Sequence, residues 1–385
     1  MSKLPPLRIA VLGAGPIGIE AALYAKACGH TIAVYERGQV GEHLVRWGHI
    51  RMFTPFGANA SPLGMQALLR EKRPKDIPSE TDLLTGRQFR DAYLVPLSES
   101  ETLIESMHPQ NVVLQIGRAT NLKKTEPDDR LPFRLLIRGV NGPERIDTAD
   151  VVLDCTGSYA TPNWLGDGNL PAVGEIAARQ LLPPGLEDIL GEKKDHYAGR
   201  SIVLVGDGYS AATTICQLAT LAEEHPSTWV FWLTRGPRGA PLPRNPNDPL
   251  KDRDKLAVKA NSLATRCDGN LEFHPQTVLD EVIAHGPDKG FRVAGRTNGK
   301  PVSWDVDRVI GAVGSRADLR LSGSLRAEEP IGRIETREPG YFILGSKSFG
   351  RDGSFLLRDG FEQVRSVFAM IGGNPRLDLY GKKAA

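Results

Sequence analysis

The apolar positions of the chain fall into two alternating patterns: short unbroken hydrophobic runs, and amphipathic stretches with a helical repeat. The first run, Arg8-Ile9-Ala10-Val11-Leu12, leads through Gly13-Ala14-Gly15-Pro16-Ile17-Gly18 into a helical stretch carrying Ile19, Ala22 and Leu23 that ends around Gly29. Thr31-Ile32-Ala33-Val34-Tyr35 reads as a second buried strand, finishing at Glu36. A buried run, a helix and another buried run predict a βαβ unit on a parallel sheet. The order returns later. Arg200–Val205 is apolar after its first two residues, Gly206-Asp207-Gly208-Tyr209-Ser210-Ala211 follows, and Ile215, Leu218, Ala219 and Ala222 share one helical face. Trp229–Thr234 is the partner strand, and it finishes at Arg235.

Between these units the rhythm changes. Gly41 to Phe56 mixes polar, aromatic and glycine residues, Asn59 to Glu71 turns helical, and another helix opens at Thr85. Asn111–Ile116 and Phe133–Ile137 read as strands of a meander, and Asp150–Asp154 is a buried strand running into Cys155-Thr156-Gly157. A glycine- and proline-rich connector spans Ser158 to Gly174, and Val309–Gly314 is a late strand and turn. Tyr341-Phe342-Ile343-Leu344-Gly345 is a last strand. A helix from near Ser354 then carries Leu357, Phe361, Val364, Phe368 and Ile371 on one face and stops at Gly372-Gly373.

The glycine turns carry the chemistry. Gly13 permits a tight turn, Gly15 lets backbone approach a pyrophosphate, and Gly18 lets the helix lie close to the strand. Pro16 suits the first helical turn, whose N–H groups and dipole favour a diphosphate. Glu36, followed by Arg37, stands where an acid accepts hydrogen bonds from a ribose diol and repels a 2′-phosphate, so this site predicts FAD or NAD. At the second site Arg235 can pair with a 2′-phosphate, which favours NADPH over NADH; Arg238 and Arg244 lie in the same loop. Two dinucleotide sites in one chain predict a flavin and the nicotinamide that reduces it. Ring stacking and exclusion of water are then the protein's part. The Gly41–Phe56 segment is read in two ways: as lining the flavin, with Trp47 or Phe53 packing on it and His49 or Arg51 at the reacting centre, or as core aromatics with solvated charges; Asn59 and Lys347 complete the candidates.

Composition narrows the partners. With 48 Lys and Arg against 46 Asp and Glu the net charge is +2, so no global field points to nucleic acid or an acidic membrane. The opening apolar run is explained as a strand, not a leader, and no later run is long enough for a membrane span. Cys28, Cys155, Cys216 and Cys267 form no CxxC pair, and the histidines have no ligand spacing; a reduced cytoplasmic setting and no metal are expected. Cys267 is the one expected to be exposed.

Gly13-Gly15-Gly18-Glu36, Asp154-Cys155-Thr156-Gly157, Gly206-Gly208-Ala211 and the turn at Val309–Gly314 together resemble flavoproteins with two dinucleotide-binding domains. That superfamily includes flavin-containing and N-hydroxylating monooxygenases and thioredoxin-reductase-like disulfide reductases. The resemblance implies an α/β fold of two Rossmann-like domains, the NAD(P)H domain inserted in the FAD domain. The expected parts are 1–160 (with an inserted segment 40–150), 161–330 and 331–385. It implies FAD and NADP as cofactors, with Thr156, Gly157, Ser210, Gly314, Gly345 and Ser346 beside them; many relatives have Asp where this chain has Ser346. Lacking CxxC, the chain is expected to be a monooxygenase-like enzyme acting on a nitrogen, sulfur or carbon centre, with O2 and a small molecule as substrates. A homodimer is compatible with this. The alternatives are a reductase or oxidase passing electrons to a quinone, a small disulfide or O2, and a non-catalytic redox sensor.

Overall fold

The computed structural model describes residues 5–71, 76–123, 128–183, 185–237, 239–266, 269–325, 334–350 and 354–381. Arg238 and Cys267 lie outside them. The chain divides into two compact units, one of residues 1–161 and 316–385 and one of residues 162–315.

The first unit opens with strand β1 (Arg8–Leu12), helix α1 (Pro16–Ala27) and strand β2 (Thr31–Tyr35). Helix α2 (Pro62–Arg70) follows, then the short strand β3 (Met107–His108). Strands β4 (Asn111–Arg118), β5 (Phe133–Gly139) and β6 (Glu144–Ala149) form an antiparallel meander, and β7 (Val151–Asp154) returns to the main sheet. β1 lies between parallel partners, with Leu12 opposite both Tyr35 and Asp154. A strand covered on both faces has no polar side to show, which is why its sequence is an unbroken apolar run. α1 is buried from Ile17 through Ala25, Glu20 included.

The helix expected from Thr85 is three short pieces, Gly86–Phe89, a π-helical turn Arg90–Leu94, and Val95–Ser98. Pro96 has no N–H to continue the regular ladder, and the widened turn precedes it.

The second unit repeats the theme with β8 (Ser201–Val205), α3 (Tyr209–Glu224) and β9 (Trp229–Leu233), then α4 (Lys251–Thr265) and β10 (Leu271–His274). An antiparallel sheet of β11 (Thr277–Ala284), β12 (Phe291–Thr297) and β13 (Lys300–Val306) comes before β14 (Arg308–Gly311). β14 pairs with β8, giving the parallel order β10-β9-β8-β14.

The chain then re-enters the first unit, where β15 (Tyr341–Ile343) pairs with β7 and completes the order β15-β7-β1-β2-β3. Helix α5 (Leu357–Ile371) packs on α1 through Tyr24 and Phe368, whose rings stack at 5.1 Å. Of its expected apolar face, Val364 and Phe368 are buried, while Leu357, Phe361 and Ile371 are partly covered at its margin. No helix among the described residues is long and apolar enough to cross a membrane.

Candidate functional site

In open α/β sheets ligands lie beyond the carboxyl ends of the strands. At that edge of the first unit, the Gly13 N–H donates to the Tyr35 carbonyl at 2.7 Å, which ties the end of β1 to the end of β2. Gly13 has φ +93°, and a Cβ on Gly18 would stand 1.9 Å from the Gly13 carbonyl oxygen, so this crossing requires glycine. Gly15 differs: nothing lies within 4 Å of where its Cβ would be. It caps α1 without a side-chain hydrogen bond, and Pro16 occupies the first turn. The backbone at Gly15, where α1 begins, therefore borders clear space, the surroundings a diphosphate at a helix start needs.

Glu36 is buried at the end of β2, where its carboxylate accepts from the Ala14 and Gly38 N–H groups, each at 2.8 Å. Arg37 is exposed, its guanidinium 3.4 Å from His43 Nε2. The segment after Glu36 is tied to the Thr85 region. Met52 and Gly86 donate to the Leu84 and Ile50 carbonyls, and Arg51 bridges to Thr85 while its side chain is exposed. Trp47 lies over Gly86, whose Cβ would meet the indole at 2.7 Å. Asn59 is buried and occupied by Thr54, accepting from its hydroxyl at 2.8 Å and donating to its carbonyl at 3.0 Å.

Three buried polar atoms of this segment have no partner: His43 Nδ1, Trp47 Nε1 and His49 Nε2. Unpaired buried donors and acceptors are costly. Three within seven residues leave hydrogen-bonding capacity that a bound ligand or water would satisfy. His43 was passed over in the sequence because its spacing from His49 suits no metal; a repeat of His and Trp in a glycine-punctuated loop was the available signal. Burial, with Arg46 and Arg37 nearby, lowers the His43 pKa to about 4, so the ring is neutral.

The floor of the same edge is a buried polar network. Asp154 ends β7 fully buried. Its Oδ2 accepts from Lys347 Nζ at 2.6 Å and from the Tyr341 hydroxyl at 2.7 Å, and its Oδ1 accepts from the Thr156 N–H and hydroxyl at 3.1 and 2.7 Å. Burial pushes the Asp154 carboxyl up, but Lys347, Thr156 and Tyr341 outweigh it and hold the group below its ordinary value. Lys347 is therefore spoken for. Gly157 and Gly345 both take positive φ, and Ser346 Oγ lies 3.9 Å from the position of a Gly157 Cβ.

Cys155 packs against the glycine turn, and burial followed by the Asp154 charge drives its thiol pKa far up. Burial raises Cys28 to about 11 and Cys216 to about 11.

In the second unit Gly206 has φ +136°, and its carbonyl accepts from Trp232 Nε1 at 2.8 Å. Gly208 is open like Gly15, and it caps α3 without a side-chain bond. Ser210 is partly buried in the first turn, and Ala211 is fully buried. Arg235 is exposed at the end of β9, one residue beyond Thr234, whose buried Oγ1 has no partner. Arg244, in the loop that follows, grips Asp254 through two hydrogen bonds of 2.9 and 3.0 Å. Gly314 has φ +76°, and its carbonyl accepts from the Asn163 N–H at 3.0 Å.

The structure is similar to bacillithiol disulfide reductase from Bacillus cereus (TM-score 0.69, 16% identity, 96% of this chain and 99% of that one). It is likewise similar to ornithine N-hydroxylase from Kutzneria sp. 744 (TM-score 0.67, 16% identity, 95% and 99%). A third such structure is the FAD-bound cadaverine monooxygenase of desferrioxamine biosynthesis from Erwinia amylovora (TM-score 0.66, 15% identity, 99% and 99%). No curated protein sequence matches the chain. The family model for pyridine nucleotide-disulphide oxidoreductases matches residues 7–340, and the chain belongs to that family of flavoprotein oxidoreductases with two Rossmann-like domains.

Proposed function

We propose that the protein is an FAD-dependent, NAD(P)H-consuming monooxygenase that acts on a small molecule at a nitrogen, sulfur or carbon centre. The observation that carries this is the state of the thiols. A dithiol relay needs a paired, low-pKa cysteine. The sequence has no CxxC, and every described cysteine has its pKa pushed up, including Cys155 beside the glycine turn.

Bound FAD supplies hydride acceptance and electron delivery to oxygen. The chain supplies the rest. The α1 amides and the clear face of Gly15 receive the diphosphate, and Glu36, whose oxygens keep lone pairs beyond their two backbone bonds, accepts ribose hydroxyls. His43, Trp47 and His49, each with an unpaired buried polar atom, are the residues that would hydrogen-bond the flavin ring system. Gly208 and the first turn of α3 receive the second diphosphate, and Arg235 takes the 2′-phosphate of NADPH.

The test uses purified holoprotein with NADPH and 18O-labelled dioxygen. It is offered ornithine, lysine and cadaverine in turn, then bacillithiol disulfide and oxidised glutathione. The expected result is label in an oxygenated amine with NADPH consumed one for one. Thiol release from a disulfide, with no label in any product, would overturn the reading in favour of a reductase.

A further inference from the structure

The buried Lys347–Asp154 pair is costly for what it adds to stability, because withdrawing two charges from water consumes most of their attraction. Its location gives it another role. Asp154 ends β7 opposite Ile343 at the end of β15, and the two turns that leave these strands, Thr156–Gly157 and Gly345–Ser346, border the ligand edge of the sheet. Lys347 reaches back from the second turn to the first, at 2.6 Å from Asp154 Oδ2 and 3.1 Å from Thr156 Oγ1. On its other side the second turn is closed by α5. The Gly345 N–H donates to Gln363 Oε1 at 2.7 Å, Gln363 Nε2 donates to Ser348 Oγ at 2.7 Å, and Ser348 Oγ donates to the Gly345 carbonyl at 2.8 Å. Gly345, Lys347 and Ser348 are all buried, which leaves Ser346 as the partly exposed residue among them, facing Gly157.

We infer that Lys347 and Asp154 form a clamp that fixes the Thr156–Gly157 and Gly345–Ser346 turns against each other and so shapes the flavin-binding edge of the first unit. Lys347 is a positioning residue, held away from any substrate. The pair is neutral as a whole and Ser346 is uncharged, so this edge meets the flavin through geometry. The inference rests on the family's flavin site, and its test separates the two.

The readouts are FAD dissociation from the full-length protein, followed by flavin fluorescence, the visible spectrum of the bound flavin, and the melting temperature of the apoprotein. Lys347→Met and Asp154→Asn singly leave one buried charge without its partner, and both lower the melting temperature. Combined, they remove both charges, and the apoprotein recovers near-wild-type melting while FAD binds about tenfold more weakly, with a shifted spectrum. Tyr341→Phe, which keeps both charges and removes one donor to Asp154, weakens FAD about threefold. Wild-type FAD affinity and spectrum in any folded Lys347 or Asp154 variant, single or double, would overturn the clamp and leave the flavin site standing. A wild-type chain that takes up no FAD overturns both.

Discussion

The two glycine turns are built alike and differ at their third position. Where β1 meets α1, Gly18 stands so close to the Gly13 carbonyl that no side chain fits. Where β8 meets α3, Ala211 fills the same place, fully buried. The same motif thus carries two tolerances to change at its third position. Adding one methyl group at Gly18 forces backbone apart, so Gly18→Ala is expected to cost about 3 kcal/mol, the upper end of overpacking, and to abolish FAD retention. Ala211→Gly removes a methyl group near a helix start and costs about 1 kcal/mol, with NADPH still bound. Urea unfolding and retained flavin measure both. Equal losses would erase the distinction.

That contrast was legible from GxGxxG against GxGxxA, as were both βαβ units and the last strand. The strands concerned are buried on both faces, so their apolar runs had no competing explanation. Residues 250–308 were not assigned. α4 buries only Ala257, Ala260 and Leu263, too narrow a stripe to stand out, whereas the alternation of Val302, Trp304 and Val306 in β13 is a readable strand signal. At the site, the glycines and Glu36 could be placed because their conformations and position are demanded by the backbone. Asn59, Lys347 and Arg244 could not. Their side chains are committed to Thr54, Asp154 and Asp254, partners 5, 193 and 10 residues away, and no spacing rule announces such pairs.

The helices behind the turns differ as well. Two residues after Gly18, α1 buries Glu20, whose carboxyl burial raises to about 7 even though Ser61 and Tyr380 hydrogen-bond it. Two residues after Ala211 stands Thr213, whose hydroxyl donates to the Tyr209 carbonyl at 2.9 Å and does not titrate in this range. Between an unfolded value of 4.5 and about 7, folded Glu20 holds a proton that the unfolded chain has released. Stability therefore falls as pH rises through that window, by about 3 kcal/mol in total, and is level above it. Glu20→Gln removes the fall, which unfolding curves from pH 4 to 8 would show. An unchanged slope would mean that this helix carries no proton linkage.

The strand ends sharpen the comparison at the level of the ligand. Glu36 is buried and held by two amides, whereas Arg235 is exposed. Arg235→Ala is expected to raise the KM for NADPH about 10- to 100-fold, the worth of a charge-assisted phosphate contact, and to leave NADH unchanged. Parallel loss with both coenzymes would place the 2′-phosphate elsewhere.

His43 gives the smallest effect, and its sign is opposite to that of Glu20. Its pKa falls from 6.5 to about 4 on folding, through burial first and then Arg46 and Arg37. In that interval the unfolded chain binds the proton and the folded chain does not. Stability is complete above pH 6.5 and is lost as pH falls towards 4. Allowing for partial exposure, the term is about 1 kcal/mol. From pH 4.5 to 6.5 it partly cancels the Glu20 term, so the wild-type curve falls less steeply there than Glu20 alone would make it. Glu20→Gln should then reveal stability rising with pH across this window, and adding His43→Gln should remove the rise. A rise that survives in the double variant would belong to another half-buried histidine, with His30 and His108, both lowered by partial burial in the same unit, next to be replaced.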